Sequence, residues 1–146
     1  MILERVVRPA PLLDDGRRKI ETITLASADL ARHRHRVKTD AGREVGISLP
    51  HGVTLRDGDV LHLDDALAIV VRQAEEDLLR IRPRTPEEFG LIGYQVGNLH
   101  RAAMIDRDGI AVLYDKAIEA LAHRHQVPSE RVPGKFVPAQ NQGHTH

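Results

Sequence analysis

The chain contains no cysteine and no tryptophan, and only two tyrosines and two phenylalanines. Without cysteine there are no disulfides, no zinc ribbons and no thiolate metal sites. Any metal held by the protein itself must sit on imidazole or oxygen donors. An aromatic content of 3% leaves no stacking platform for single-stranded nucleic acid. Cores must be built from Leu, Ile, Val and Ala. The 21 basic and 21 acidic residues cancel, so no strong field draws the chain to nucleic acid. No apolar run approaches the length of a membrane span. Met1-Ile2-Leu3-Glu4-Arg5 lacks the basic start, apolar core and cleavage site of a secretory leader. A soluble cytoplasmic protein is the expectation. Histidine is present in modest excess, at nine in 146 residues.

The first half of the chain reads as β structure. Ile20 to Leu25 alternates with period two, as a half-buried strand does. His33 to Thr39 is a polar strand, followed by a turn at Asp40-Ala41-Gly42-Arg43 and a second strand from Glu44 to Leu49. This pattern is a hairpin signature. Val60 to Leu63 and Ala68 to Arg72 are further short strands. Close strand spacing with Gly and Asp turns predicts a small sandwich or barrel. The second half changes character. Strand Leu78–Arg82 precedes a helix, then two strands around Asp106-Arg107-Asp108-Gly109. A helix from Lys116 to about Gln126 follows, and Arg131–Pro138 supplies a last strand. Its prolines suit a sheet edge. The order β-α-β-β-α-β is the ferredoxin-like split unit. The fold class is therefore α+β. A small all-β domain over 1–75 is followed by a ferredoxin-like domain over 76–138 and a flexible histidine-containing tail over 139–146.

The first helix of the second half carries the most information. Thr85 is a good N-cap, Pro86 suits the first helical position and Glu88 completes a capping box, so the helix runs from Pro86 to about Asn98. Phe89, Ile92, Val96 and Leu99 form its apolar stripe. Gly93, Gly97 and His100 lie on the flank of that stripe. Glycine inside a helix costs about 1 kcal/mol relative to alanine, and two on one face permit close approach of another backbone. His100, presented there, suits metal binding or pairing with its copy in a dimer. The alternative is a helix-capping histidine interacting with the dipole, with the glycines seating the helix on its own sheet.

The other histidines differ in kind. His33 and His35 share a strand face, but they are interleaved with Arg34 and Arg36 and read as a solvated polar strand. His51 falls in a turn and His62 in a strand, neither with a near partner in sequence. His123 and His125 read as cations near a helix C-terminus. His144 and His146 sit on the tail, where a histidine tract is a metal-binding composition, or a remnant without a role. No nucleophile–histidine–carboxylate constellation, G-x-S-x-G elbow or Walker sequence is present. Nothing recommends an enzyme.

Tyr94-Gln95-Val96-Gly97-Asn98-Leu99-His100 resembles the Y-x-[LIV]-G-N-x-H motif of the UreE family of urease accessory proteins. The run from Arg36 to Pro50, followed by Gly52 and Leu55-Arg56-Asp57-Gly58-Asp59, is similar to that family's N-terminal domain. The likeness spans about Ile20 to Val137. It implies a homodimeric nickel metallochaperone, not an enzyme, that carries Ni(II) to apo-urease. Its implied partners are the urease apoprotein and its accessory proteins, including the maturation GTPase, with no nucleic acid and no membrane. The N-terminal domain would make partner contacts, and the C-terminal domain would dimerise and bind metal. The family's motif histidine falls on His100, and its histidine tail on His144 and His146. Some relatives carry extra histidines before the last helix. Val112-Leu113-Tyr114-Asp115 has none here, which speaks against high-capacity nickel storage.

The chemistry agrees with that implication. Imidazole suits Ni(II) and Cu(II), with Zn(II) a competitor in vitro, and a two-fold axis supplies each ligand twice. The alternatives are a non-metal scaffold or RNA/protein-binding module built on the ferredoxin-like domain, and a metal-dependent hydrolase using His100.

Overall fold

A computed structural model describes residues 1–7 and 16–138. The expectations for the tail, including His144 and His146, lie outside the described residues. The chain divides into two compact units, Met1–Ala74 and Glu75–His146.

The first unit contains β1 (Ile2–Leu3), β2 (Lys19–Leu25), α1 (Ser27–Leu30), β3 (Arg34–Lys38), β4 (Glu44–Ser48), β5 (Val60–Leu63) and β6 (Leu67–Gln73). They form two three-stranded sheets, ordered β1-β4-β3 and β2-β6-β5. The anticipated hairpin is present, with β3 antiparallel to β4, while β1 on β4 and β2 on β6 are parallel. Val45 and Ile47 from one sheet and Ile23, Ile69 and Val71 from the other share one core. Glu21 joins the two sheets. It is only 1% exposed on β2, accepts from the Thr39 hydroxyl at 2.6 Å and takes a two-pronged contact from Arg43. A buried charge is tolerable only when paired in this way. The single-turn helix α1 interrupts the all-β reading. Its four residues are too few to show helical periodicity.

The second unit contains β7 (Glu76–Ile81), α2 (Pro86–Asn98), β8 (Met104–Asp106), β9 (Gly109–Leu113), α3 (Lys116–Arg124) and β10 (Ser129–Gly134). Its antiparallel sheet has the order β10-β7-β9-β8, the ferredoxin-like arrangement of βαββαβ. One sheet face packs Leu79, Ile81, Ile110 and Val112 against Ile92 and Val96 of α2 and Ile118 and Ala122 of α3. Gly109 passes so close to the Ile81 carbonyl that a Cβ there would collide with it. β10 lies at the sheet edge, where Pro133 is tolerated.

The last strand is shorter than the sequence suggests. It ends at Gly134, and the chain then leaves the edge. Phe136 is buried, and the Val137 N–H donates to Met104 Sδ at 3.2 Å. Met104 belongs to β8, at the opposite edge of the sheet. The segment after β10 therefore crosses to the edge where the chain enters from α2.

Candidate metal centre

The start of α2 is held almost as its sequence dictates. The Thr85 hydroxyl accepts from the Glu88 N–H at 3.1 Å. Glu88 reaches one residue further back than a standard capping box and accepts from the Arg84 N–H at 2.7 Å. The Arg84 guanidinium, bonded to the same carboxylate, holds Glu88 below the usual carboxylate range.

The end of α2 presents His100. The His100 N–H donates to the Gly97 carbonyl at 3.0 Å, and the Arg101 N–H donates to the Val96 carbonyl at 3.2 Å. This is a Schellman ending with His100 in the left-handed position, at φ 57°. Gln126 occupies the same position after α3, also at φ 57°. The backbone geometry alone therefore does not single out His100. Its side chain does. The residue is exposed, and its imidazole has no hydrogen-bond partner among the described residues.

Arg101 anchors this corner. Its Nε donates to Asp115 Oδ2 at 2.7 Å, and its guanidinium also donates to the Leu99 carbonyl at 3.2 Å. Asp115 is the N-cap of α3 and accepts from the Ala117 N–H. The Arg101 guanidinium is the main reason the Asp115 carboxyl is held below its ordinary range. Sequence reasoning missed this pair. The basic residue directly after His100 and the Asp at an N-cap position were the available signals.

The glycine face is open. Among the described residues, a Cβ at Gly90, Gly93 or Gly97 would meet no heavy atom within 4 Å beyond its own stretch of helix. The glycines are therefore not there to seat α2 on its own sheet, which removes that alternative. Tyr94 stands 70% exposed beside them. Leu99 departs from the expected stripe and is 41% exposed. It is the C-cap, where the chain leaves the helical path, so helical spacing no longer predicts its direction.

Three other histidines have partners that spacing did not reveal. His62 Nε2 lies 2.7 Å from Asp64 Oδ2, and His51 meets His33 ring to ring. His33 and His35 are half-buried rather than solvated, while Arg34, Arg36 and Lys38 point outward. Among the described residues no three His, Asp or Glu side chains converge into a metal cage. His100 is exposed and belongs to no such group among the described residues.

The match to known proteins covers both units. The model of the UreE urease accessory protein N-terminal domain matches residues 3–74, and that of the C-terminal domain matches residues 76–146. The chain belongs to the UreE family. A urease accessory protein UreE from Geobacillus kaustophilus is 39% identical over 147 residues, covering 100% of this chain and 99% of the relative. The corresponding proteins from a Bacillus species and from Staphylococcus saprophyticus are 35% and 37% identical, again across 100% of this chain and 99% of each relative. The family is one of urease accessory proteins. No helix among the described residues of this UreE chain is long and apolar enough to cross a membrane.

Proposed function

We propose that this chain is a cytoplasmic nickel metallochaperone that binds Ni(II) between two copies of itself and delivers it to apo-urease. His100 of each copy supplies a ligand at the two-fold axis, and the tail histidines His144 and His146 complete the shell. The observation that carries this reading is the conjunction at the end of α2. Among the described residues, an exposed imidazole without a hydrogen-bond partner stands beside a helix face whose glycines leave room for a Cβ. One imidazole per chain is too little for a tight site, and symmetry doubles it. Imidazole is also the strongest ligand type left to a protein without cysteine.

The path of the chain after β10 supports a role for the tail. Val137 is bonded to Met104, four residues beyond His100. Four residues span at most about 14 Å, so with the Met104 side chain added the tail begins within about 20 Å of His100. The seven residues from Val137 to His144 can span about 25 Å. Either tail histidine can therefore reach a metal on His100. Ligands carried on a tail also suit delivery, since a closed rigid cage releases its ion slowly.

The ion is cargo in this scheme, passed on to the urease apoprotein and its accessory proteins, including the maturation GTPase. Zn(II) and Cu(II) compete in vitro because they accept the same donors. Nickel titration of wild type and His100→Ala, with mass measured in parallel, tests the proposal. Loss of the tightest site in the variant supports it, and an unchanged isotherm refutes it.

A further inference from the structure

We infer that His33 and His51 form a second, separate site for a borderline divalent ion, Ni(II) or Cu(II), on the first unit. Their ring centroids stand 4.6 Å apart with the planes at 66°. Both backbones are held in place. The His33 carbonyl accepts from the Leu49 N–H at 2.8 Å, which fixes it to the end of β4. His51 is the second residue of a turn closed from the Val53 N–H to the Pro50 carbonyl at 3.3 Å, with Gly52 at φ 85°. A positive φ at the third position is the signature of a type II turn, and glycine supplies it without strain. The meeting of two imidazoles 18 positions apart is thus built into the hairpin end.

The chemistry of the pair points to an ion. His33 Nδ1 is enclosed and has no hydrogen-bond partner among the described residues. An enclosed polar nitrogen without a partner is costly, and a metal or a proton acceptor relieves it. With a metal–nitrogen bond of about 2.1 Å, each ring centroid would stand about 3.2 Å from a shared ion. A separation of 4.6 Å is short enough for both rings to serve one ion as neighbouring ligands, an arrangement provided by octahedral and square-planar coordination, the geometries of Ni(II) and Cu(II). The rings now meet edge to face. Rotation about χ2, a soft torsion in histidine, brings a nitrogen of exposed His51 toward the same point.

The surroundings set the character of the site. His33 and His51 line a concavity of about 680 Å³ together with Arg32, Arg34, Leu49 and Pro50. Arg32 is engaged by Asp29 at 3.4 Å. Arg34 is exposed, so water screens its repulsion of a cation. Among the described residues no third His, Asp or Glu joins the pair. Water fills the remaining positions, which makes this a weak, rapidly exchanging site rather than a storage cage.

The test is a titration of the full chain, labelled on its histidine rings, with nickel chloride, read by NMR. The His33 and His51 signals should broaden together along one binding curve, in wild type and in His100→Ala alike. Either His33→Asn or His51→Asn should abolish the broadening of the remaining partner, while the amide spectrum shows the fold retained. The inference is overturned if both rings keep their intensity with nickel in excess of all sites. It is equally overturned if one ring broadens unchanged when the other is replaced. His100 is read in the same spectra, so the outcome at one site does not decide the other.

Discussion

Arg101 Nε donates to Asp115 Oδ2 at 2.7 Å and ties the residue after His100 to the N-cap of α3. The exposed histidine is thereby carried on a corner braced from two helices. Replacing Arg101 with Ala removes the brace but leaves the Asp115 cap in place. Exposed ion pairs contribute about 0–1 kcal/mol, so urea denaturation should register a small loss. Nickel affinity should fall by more than that stability change explains, and by less than in His100→Ala. Equal affinity in Arg101→Ala and wild type would show that the brace does not position the ligand.

The open glycine face makes opposite predictions for one chain and for two. In an isolated chain Gly97→Ala meets no obstacle and should stabilise α2 by about 1 kcal/mol. If a second copy packs on this face, a larger side chain holds the backbones apart. Gly97→Leu should therefore keep its helical content by circular dichroism but sediment as a monomer. A dimer of wild-type affinity in Gly97→Leu would move the interface elsewhere.

Much of this was legible in the chain, and the failures have physical causes. The bounds of α2 follow from Thr85, Pro86 and Glu88, because capping is local and side chains reach only a few residues. The βαββαβ order follows from alternating periodicities. Leu99 was misassigned because periodicity cannot report that a helix has ended in a left-handed residue. β1 escaped notice because two residues carry no pattern, and its pairing with β4 spans more than 40 positions. The His33–His51 and Arg101–Asp115 contacts escaped for the same reason, since both depend on where turns bring the chain back.

The buried carboxylate of the first unit should give that unit an acid limit. Arg43 first, then Thr39, lowers the Glu21 pKa from 4.5 to about 2. A carboxyl lowered by folding contributes stability above its unfolded pKa and loses it as pH falls through the folded value. Stability to urea should thus decline between about pH 4.5 and 2. Asp64, lowered to about 2 chiefly by His62, contributes over the same range. In Glu21→Gln the decline should be shallower, from a lower starting stability because Arg43 has lost its charge partner. An identical pH slope in the variant would remove Glu21 from the account.

The tail prediction separates reach from scaffold. Deleting residues 139–146 removes His144 and His146 and none of the described strands or helices. Melting should be unchanged, while nickel affinity or stoichiometry at the His100 site falls. An unchanged isotherm would assign the whole site to residues before the tail.

The most direct measurement is calorimetric nickel titration of wild type and His100→Ala, run alongside sedimentation at the same concentrations. The tightest site in wild type should hold one Ni(II) per two chains. In His100→Ala that site should disappear while the protein remains folded. A tight site of unchanged affinity in the variant, or one filled by a strictly monomeric chain, would contradict the account.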